Sequence, residues 1–123
     1  KYGFKKNAFV ESKNLKVLKV VKENEFRTLL WVENIKYWKK KEHKDSVYLA
    51  KMIRSQIEEL QPDAISCEYS MYPFLCDSFP EQNIHFWDTP KEFTPENVEF
   101  TKELCGNRSV KVVLVDYPTD EIF

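Results

Sequence analysis

Three carboxylates stand at the ends of apolar, strand-like runs: Glu68 in AISCEY, Asp88 after IHFW and Asp116 after VKVVLV. Acids so placed are the raw material of a divalent-metal site, because paired ions must clamp the attacking and leaving oxygens of a phosphodiester. Aspartate at a strand end is also ordinary turn chemistry, so the residue types leave both readings open. A second group is Asp116 with Tyr117, joined by position to Phe86, Trp87 and Tyr69. Ring faces attract organic cations and a carboxylate accepts their hydrogens, so these residue types can hold a ligand as readily as they can pack a core. A third is Tyr37, Trp38, Lys39, Lys40 and Lys41, in a basic stretch running to Lys44. Rings there can stack on bases while ammonium groups neutralise phosphates. His43 and His85 are far apart, Cys67 and Cys76 lack paired-ligand spacing, and no Ser or Cys sits in a nucleophile elbow. No catalytic nucleophile, histidine or cysteine metal site, or cofactor is therefore expected.

The 123 residues suit one domain with one hydrophobic core, and 42% hydrophobic with 15% aromatic side chains argue against wholesale disorder. Only Gly3 and Gly106 occur, which removes the glycine-rich loops that cradle phosphate in nucleotide enzymes. The odd count of three cysteines argues for thiols in a reducing compartment, cytoplasmic or nuclear. No run approaches a membrane span, and the lack of an initiator methionine points to a fragment of a larger protein. Charge is uneven. Residues 1–60 hold 15 Lys and Arg against 8 acids, a net of +7, while residues 61–123 hold 4 against 12, a net of −8. Two faces of opposite potential follow unless the halves interleave in space.

These groups need elements to position them. Residues 1–14 carry no clear period and read as an arm or edge segment. LKVLKVV and FRTLLWV, separated by polar residues 22–25, read as a β-hairpin. In the second run both faces are partly apolar, so both must be covered. Residues 34–44 read as an exposed connection. Asp45 or Ser46 caps a helix over 46–60, with Leu49, Met52, Ile53, Ile57 and Leu60 at helical spacing and Pro62 closing it. AISCEY alternates as a half-buried strand, residues 71–83 read as a loop, and IHFW is a short strand. Thr94 and Pro95 open a helix over 95–105 that Gly106 stops in the left-handed region, and VKVVLV is the strongest strand.

VKVVLVDYPTDEIF resembles the Tudor signature, a hydrophobic strand running into Asp-Tyr-Gly and then a Glu and an apolar position, here Asp116, Tyr117, Glu121 and Ile122, with Pro118 in place of the glycine. The opening is similar to an extended Tudor domain, whose staphylococcal-nuclease-like hairpin carries valines and an aromatic before a helix, matched by Val17, Val20 or Val21 and Phe26. PDAISCEYS resembles that family's strand with a buried cysteine, Cys67, although its Trp-Tyr-Arg-Ala strand is not recognisable. The resemblance implies a non-enzymatic module that reads an arginine-rich or methylated peptide in an RNA-regulatory complex, holding the cation in an aromatic cage of Tyr117 and Asp116, to which Phe86, Trp87 and Tyr69 are joined by position. Separately, the run from Ser46 to Glu68 resembles the RuvC-type resolvase pattern, without that family's aspartate on the first strand. It implies a divalent-metal nuclease using Glu68, Asp88 and Asp116 as the alternative. A scaffold or dimerisation domain is the third reading, and oligomeric state stays open. The expected fold is α+β: a curved, mostly antiparallel sheet with one long helix at 46–60 and one short helix at 95–105.

Overall fold

A computed structural model describes residues 4–41 and 45–117. Its elements, in chain order, are α1 (Phe4–Asn7), β1 (Phe9–Ser12), α2 (Leu15–Glu23), β2 (Arg27–Trp31), α3 (Ile35–Lys41), α4 (Ser46–Leu60), β3 (Ala64–Glu68), a 3₁₀ turn (Tyr69–Met71), α5 (Tyr72–Ser78), β4 (Ile84–Trp87), α6 (Pro95–Gly106) and β5 (Val110–Val113). The chain is α/β, not α+β. Contacts divide it into two compact units, Lys1–Ser66 and Cys67–Phe123. The pairings inside each unit are parallel: β1 with β2 and β2 with β3 in the first, β4 with β5 in the second. This replaces the curved antiparallel sheet expected from sequence. The division also tracks charge, since the first unit holds 15 Lys and Arg against 9 acids and the second 4 against 11.

The expected hairpin fails at its first half. Residues 15–23 form α2, capped by Asn14, whose side chain accepts from the amides of Lys16 and Val17. The run LKVLKVV satisfies both periods, and the three-residue spacing of Leu15, Leu18 and Val21 prevails. Leu18 is wholly buried while Val17 and Val20 face out. The helix packs on β1 and β2 and touches α4. A helix between two strands is what lets β1, a segment without obvious period, pair parallel with β2. The extended-Tudor likeness of the opening loses its hairpin here.

β2 and β3 read as strands buried on both faces. Thr28, Leu29 and Leu30 are all buried, as are Ala64, Ile65, Ser66 and Cys67. Ser66 therefore does not sit on an outer face, contrary to the alternation its sequence suggested, because parallel strands are covered on both sides. The two strands are locked at their starts. An Asp63 Oδ2 accepts from the Thr28 amide at 2.7 Å and its hydroxyl at 3.3 Å, while the Asp63 amide donates to Thr28 Oγ1 at 3.2 Å.

α4 lies where its period places it, with Leu49, Ile53 and Leu60 buried and Asp45 accepting from the Tyr48 amide. Its end is a left-handed Gln61 at φ 50° rather than Pro62 alone. Lys22 Nζ donates to the Leu60 and Gln61 carbonyls at 2.7 and 2.9 Å, placing a cation at the negative end of the helix. In the second unit Thr94 caps α6 by accepting from the Asn97 amide, but the helix runs through Gly106 into an extended Asn107, so Gly106 is not a left-handed stop. The residues read as a loop over 71–83 contain α5, whose Leu75 and Cys76 are buried. α6 packs on β5.

Candidate functional site

In parallel α/β sheets, the loops beyond the carboxyl ends of the strands are free to present side chains to a ligand. In the first unit β1 and β2 run parallel, so the residues just after Ser12 and at Trp31 come out on the same side. A cavity of about 210 Å³ lies there, lined by Lys13, Trp31, Glu33, Tyr37, Trp38 and Gln56 with Val32 and Met52. Lys13 directly follows β1, Trp31 closes β2, and Glu33 leads into α3. Met52 and Gln56 are four apart, one turn of α4, and so share its inward face.

Three rings shape the hollow. Tyr37 and Trp38 meet edge to face with centroids 5.5 Å apart at 87°, and Trp38 is tilted on Tyr48 at 6.4 Å. The Lys13 ammonium sits 5.1 Å from the Trp31 ring centroid, a cation–π contact. Tyr37 remains 42% exposed, so its ring is reachable from solvent. The Trp38 indole nitrogen Nε1 is buried and has no hydrogen-bond partner among the described residues. A buried donor left without an acceptor costs about 1–3 kcal/mol. Asn34 starts α3 by accepting from the Lys36 amide at 2.8 Å, which brings both rings onto α3.

Of the residues singled out from sequence, Tyr37, Trp38, Lys39, Lys40 and Lys41 are brought together on α3, a helix where an open connection was expected. The three lysines are exposed. His43 and Lys44 lie outside the described residues, as do Pro118, Glu121 and Ile122 of the Tudor-like signature.

The proposed peptide cage is occupied by packing. Phe86 is wholly buried, and Tyr117 is 8% exposed, its hydroxyl bonded to Thr101 Oγ1 and donating to the Asn97 carbonyl at 3.3 Å. The Tyr117 ring lies 5.6 Å from Phe93. Tyr69, half-buried, meets Phe100 edge-on at 5.8 Å, and Phe100 meets Tyr72, which meets Phe86. Burial of Phe86 and Tyr117, with the Tyr117 hydroxyl bonded to Thr101, is the physical reason that these two rings belong to the core rather than to a cage. Asp116 is exposed and pairs with Lys91 at 3.8 Å; Trp87 is half-buried at the end of β4.

The carboxylate reading fares no better. Among the described residues no group of three or more His, Cys, Asp or Glu side chains is close enough to hold a metal ion, so Glu68, Asp88 and Asp116 do not converge. Asp88 adopts a left-handed backbone at φ 55°, a conformation aspartate tolerates in a turn. The cysteines form no disulfide; Cys67 and Cys76 are buried and Cys105 is exposed. Burial, reinforced by the neighbouring Asp77 charge, pushes the Cys76 thiol up to about 11, so it is protonated and a poor nucleophile at neutral pH. Burial also raises Cys105.

Sequence reasoning missed Lys13, Trp31, Glu33, Met52 and Gln56. Met52 and Gln56 were legible as an i, i+4 pair on the helix expected over 46–60. The other three could be found only by knowing that β1 and β2 are parallel. Among the described residues no helix is long and apolar enough to cross a membrane. The chain matches no protein-family model, no curated protein and no solved structure.

Proposed function

We propose that this protein is a binding module whose first unit accepts a flat ring in the hollow formed by Trp31, Tyr37 and Trp38. The observation that carries the reading is three aromatic side chains around one cavity at the carboxyl ends of two parallel strands. Its volume, about 210 Å³, falls below the roughly 300–1,000 Å³ of clefts that bury a whole drug-sized molecule, so it suits one ring system presented by a larger partner. Glu33 and Gln56 supply acceptors and a donor for the ring's polar edge. A turn of the Trp38 side chain toward the hollow would give its unpartnered N–H an acceptor on the ligand.

A second reading is recognition of an arginine-rich or methylated peptide at this same place, and Glu33 beside three rings favours it. Lys13 weighs against it. Its ammonium already covers the Trp31 face, and a second cation there would meet like charge at close range.

Saturation-transfer NMR separates the two, with adenosine as the ring probe and a dimethylarginine peptide as the cation probe. Transfer to the adenosine ring protons that disappears in Trp31→Ala is the expected result. Transfer confined to the peptide's methyl groups would install the second reading, and transfer to neither ligand would overturn both.

A further inference from the structure

We infer that the hollow is one station on a track for single-stranded nucleic acid: a base enters between the rings, and the phosphates beside it meet Lys13 and the lysines of α3. This deepens the proposed function and rests on it. The small cavity leaves most of any partner outside, so what surrounds the hollow decides what kind of chain presents the ring.

Among the described residues the lining holds one cation, Lys13, and one carboxylate, Glu33, and the helix that carries Tyr37 and Trp38 adds three lysines in its last turn. Lys41 lies four residues after Tyr37 and three after Trp38, which puts it on the same side of α3 as the rings that line the hollow. Lys39 and Lys40 extend the charge around that helix end, and all three are exposed. Lysines in a last helical turn also favour the helix dipole, but that effect needs no rings beside them. Alternation of ring faces with flexible ammonium groups is the composition that single-strand binding uses, since stacking holds the base while the cations track the backbone. The excess of positive charge belongs to this unit alone: 15 Lys and Arg against 9 acids here, 4 against 11 in the other. Stacking tolerates any base, so little sequence preference is expected.

Filter binding with a radiolabelled oligouridylate of about eight nucleotides, within the range one single-strand site covers, tests this on the full chain. Neutralising three to four phosphates on a single strand gives a fall in affinity of about 20- to 50-fold for a fourfold rise in salt. The triple variant Lys39→Gln, Lys40→Gln, Lys41→Gln should lower the steepness of that log–log salt dependence by about 2, with adenosine saturation transfer retained. Because these lysines are exposed, the variant keeps its fold, and circular dichroism checks that it does. Unchanged affinity and salt dependence in the triple variant would overturn the inference. So would tighter binding of a duplex of the same length, or equal binding of an acidic tryptophan-containing peptide. Adenosine transfer without oligonucleotide binding would remove the track and leave the ring site standing; loss of both signals would remove the two together.

Discussion

Replacing Phe86 by alanine should destabilise the protein by about 3–5 kcal/mol, as a fully buried phenylalanine does when truncated. The side chain has no exposed surface, and its ring meets Tyr72 edge to face with centroids 5.9 Å apart at 83°. Truncation would remove both the apolar burial and an aromatic pair that contributes about 0.5–1.5 kcal/mol. β4 can do little to close the gap, because its backbone is held in place: the Leu114 amide donates to the Phe86 carbonyl at 2.9 Å, and Phe86 is in register with Val113 of β5. Urea denaturation followed by circular dichroism reads the loss. A change below about 1 kcal/mol would mean that Phe86 is not a core residue, since only surface substitutions cost so little. An exposed cage ring would give the opposite pattern, with stability kept and ligand affinity lost.

Asp63→Ala should cost about 2–3 kcal/mol, a large effect for a residue whose own side chain faces solvent. The reason is Thr28, which is wholly buried at the start of β2. Its amide and its hydroxyl both donate to one Asp63 carboxylate oxygen. Removing the carboxylate strands the amide inside the protein, and the penalty is the desolvation of that group rather than the modest net value of the bond itself. Asp63→Asn keeps an acceptor oxygen for the amide and should lose less than half as much. The same denaturation experiment compares the two. Equal stability of the alanine variant and the parent would show that water replaces the carboxylate and that the β2–β3 clasp contributes nothing.

The sequence carried the positions of several elements better than their arrangement. α4 was legible because its apolar residues recur at one helical spacing between an Asp45 cap and Pro62. β2 even advertised its burial, since FRTLLWV is apolar on both faces, which is the signature of a parallel strand rather than of a hairpin arm. That signal was masked by the neighbouring LKVLKVV, whose valines favour strands while its three-residue spacing favours a helix. Reading it as a strand made the connection too short for a parallel crossover and forced an antiparallel fold. β1 was illegible for a different reason: four residues, FVES, hold too little pattern to show a period.

The site followed the same division. Tyr37 and Trp38 stood out by type, and the structure places both beside the hollow. Lys13 and Trp31 gain meaning only from the parallel pairing that puts two strand ends on one side, a non-local fact no short window contains. Phe86 and Tyr117 misled because a ring beside an acid looks alike in sequence whether it faces a ligand or a core. Burial decides between these roles, and burial is set by contacts far apart in the chain, such as that of Tyr117 with Thr101.

The three tryptophans offer the most direct test. Trp31 and Trp38 border the hollow, whereas Trp87 belongs to the second unit. In ¹⁵N-labelled protein the three indole N–H signals can be followed separately while oligouridylate is added. Saturable movement of the Trp31 and Trp38 signals, with Trp87 unmoved, is the predicted result; movement of Trp87 alone, or of none of the three, would contradict a ring-binding site on the first unit.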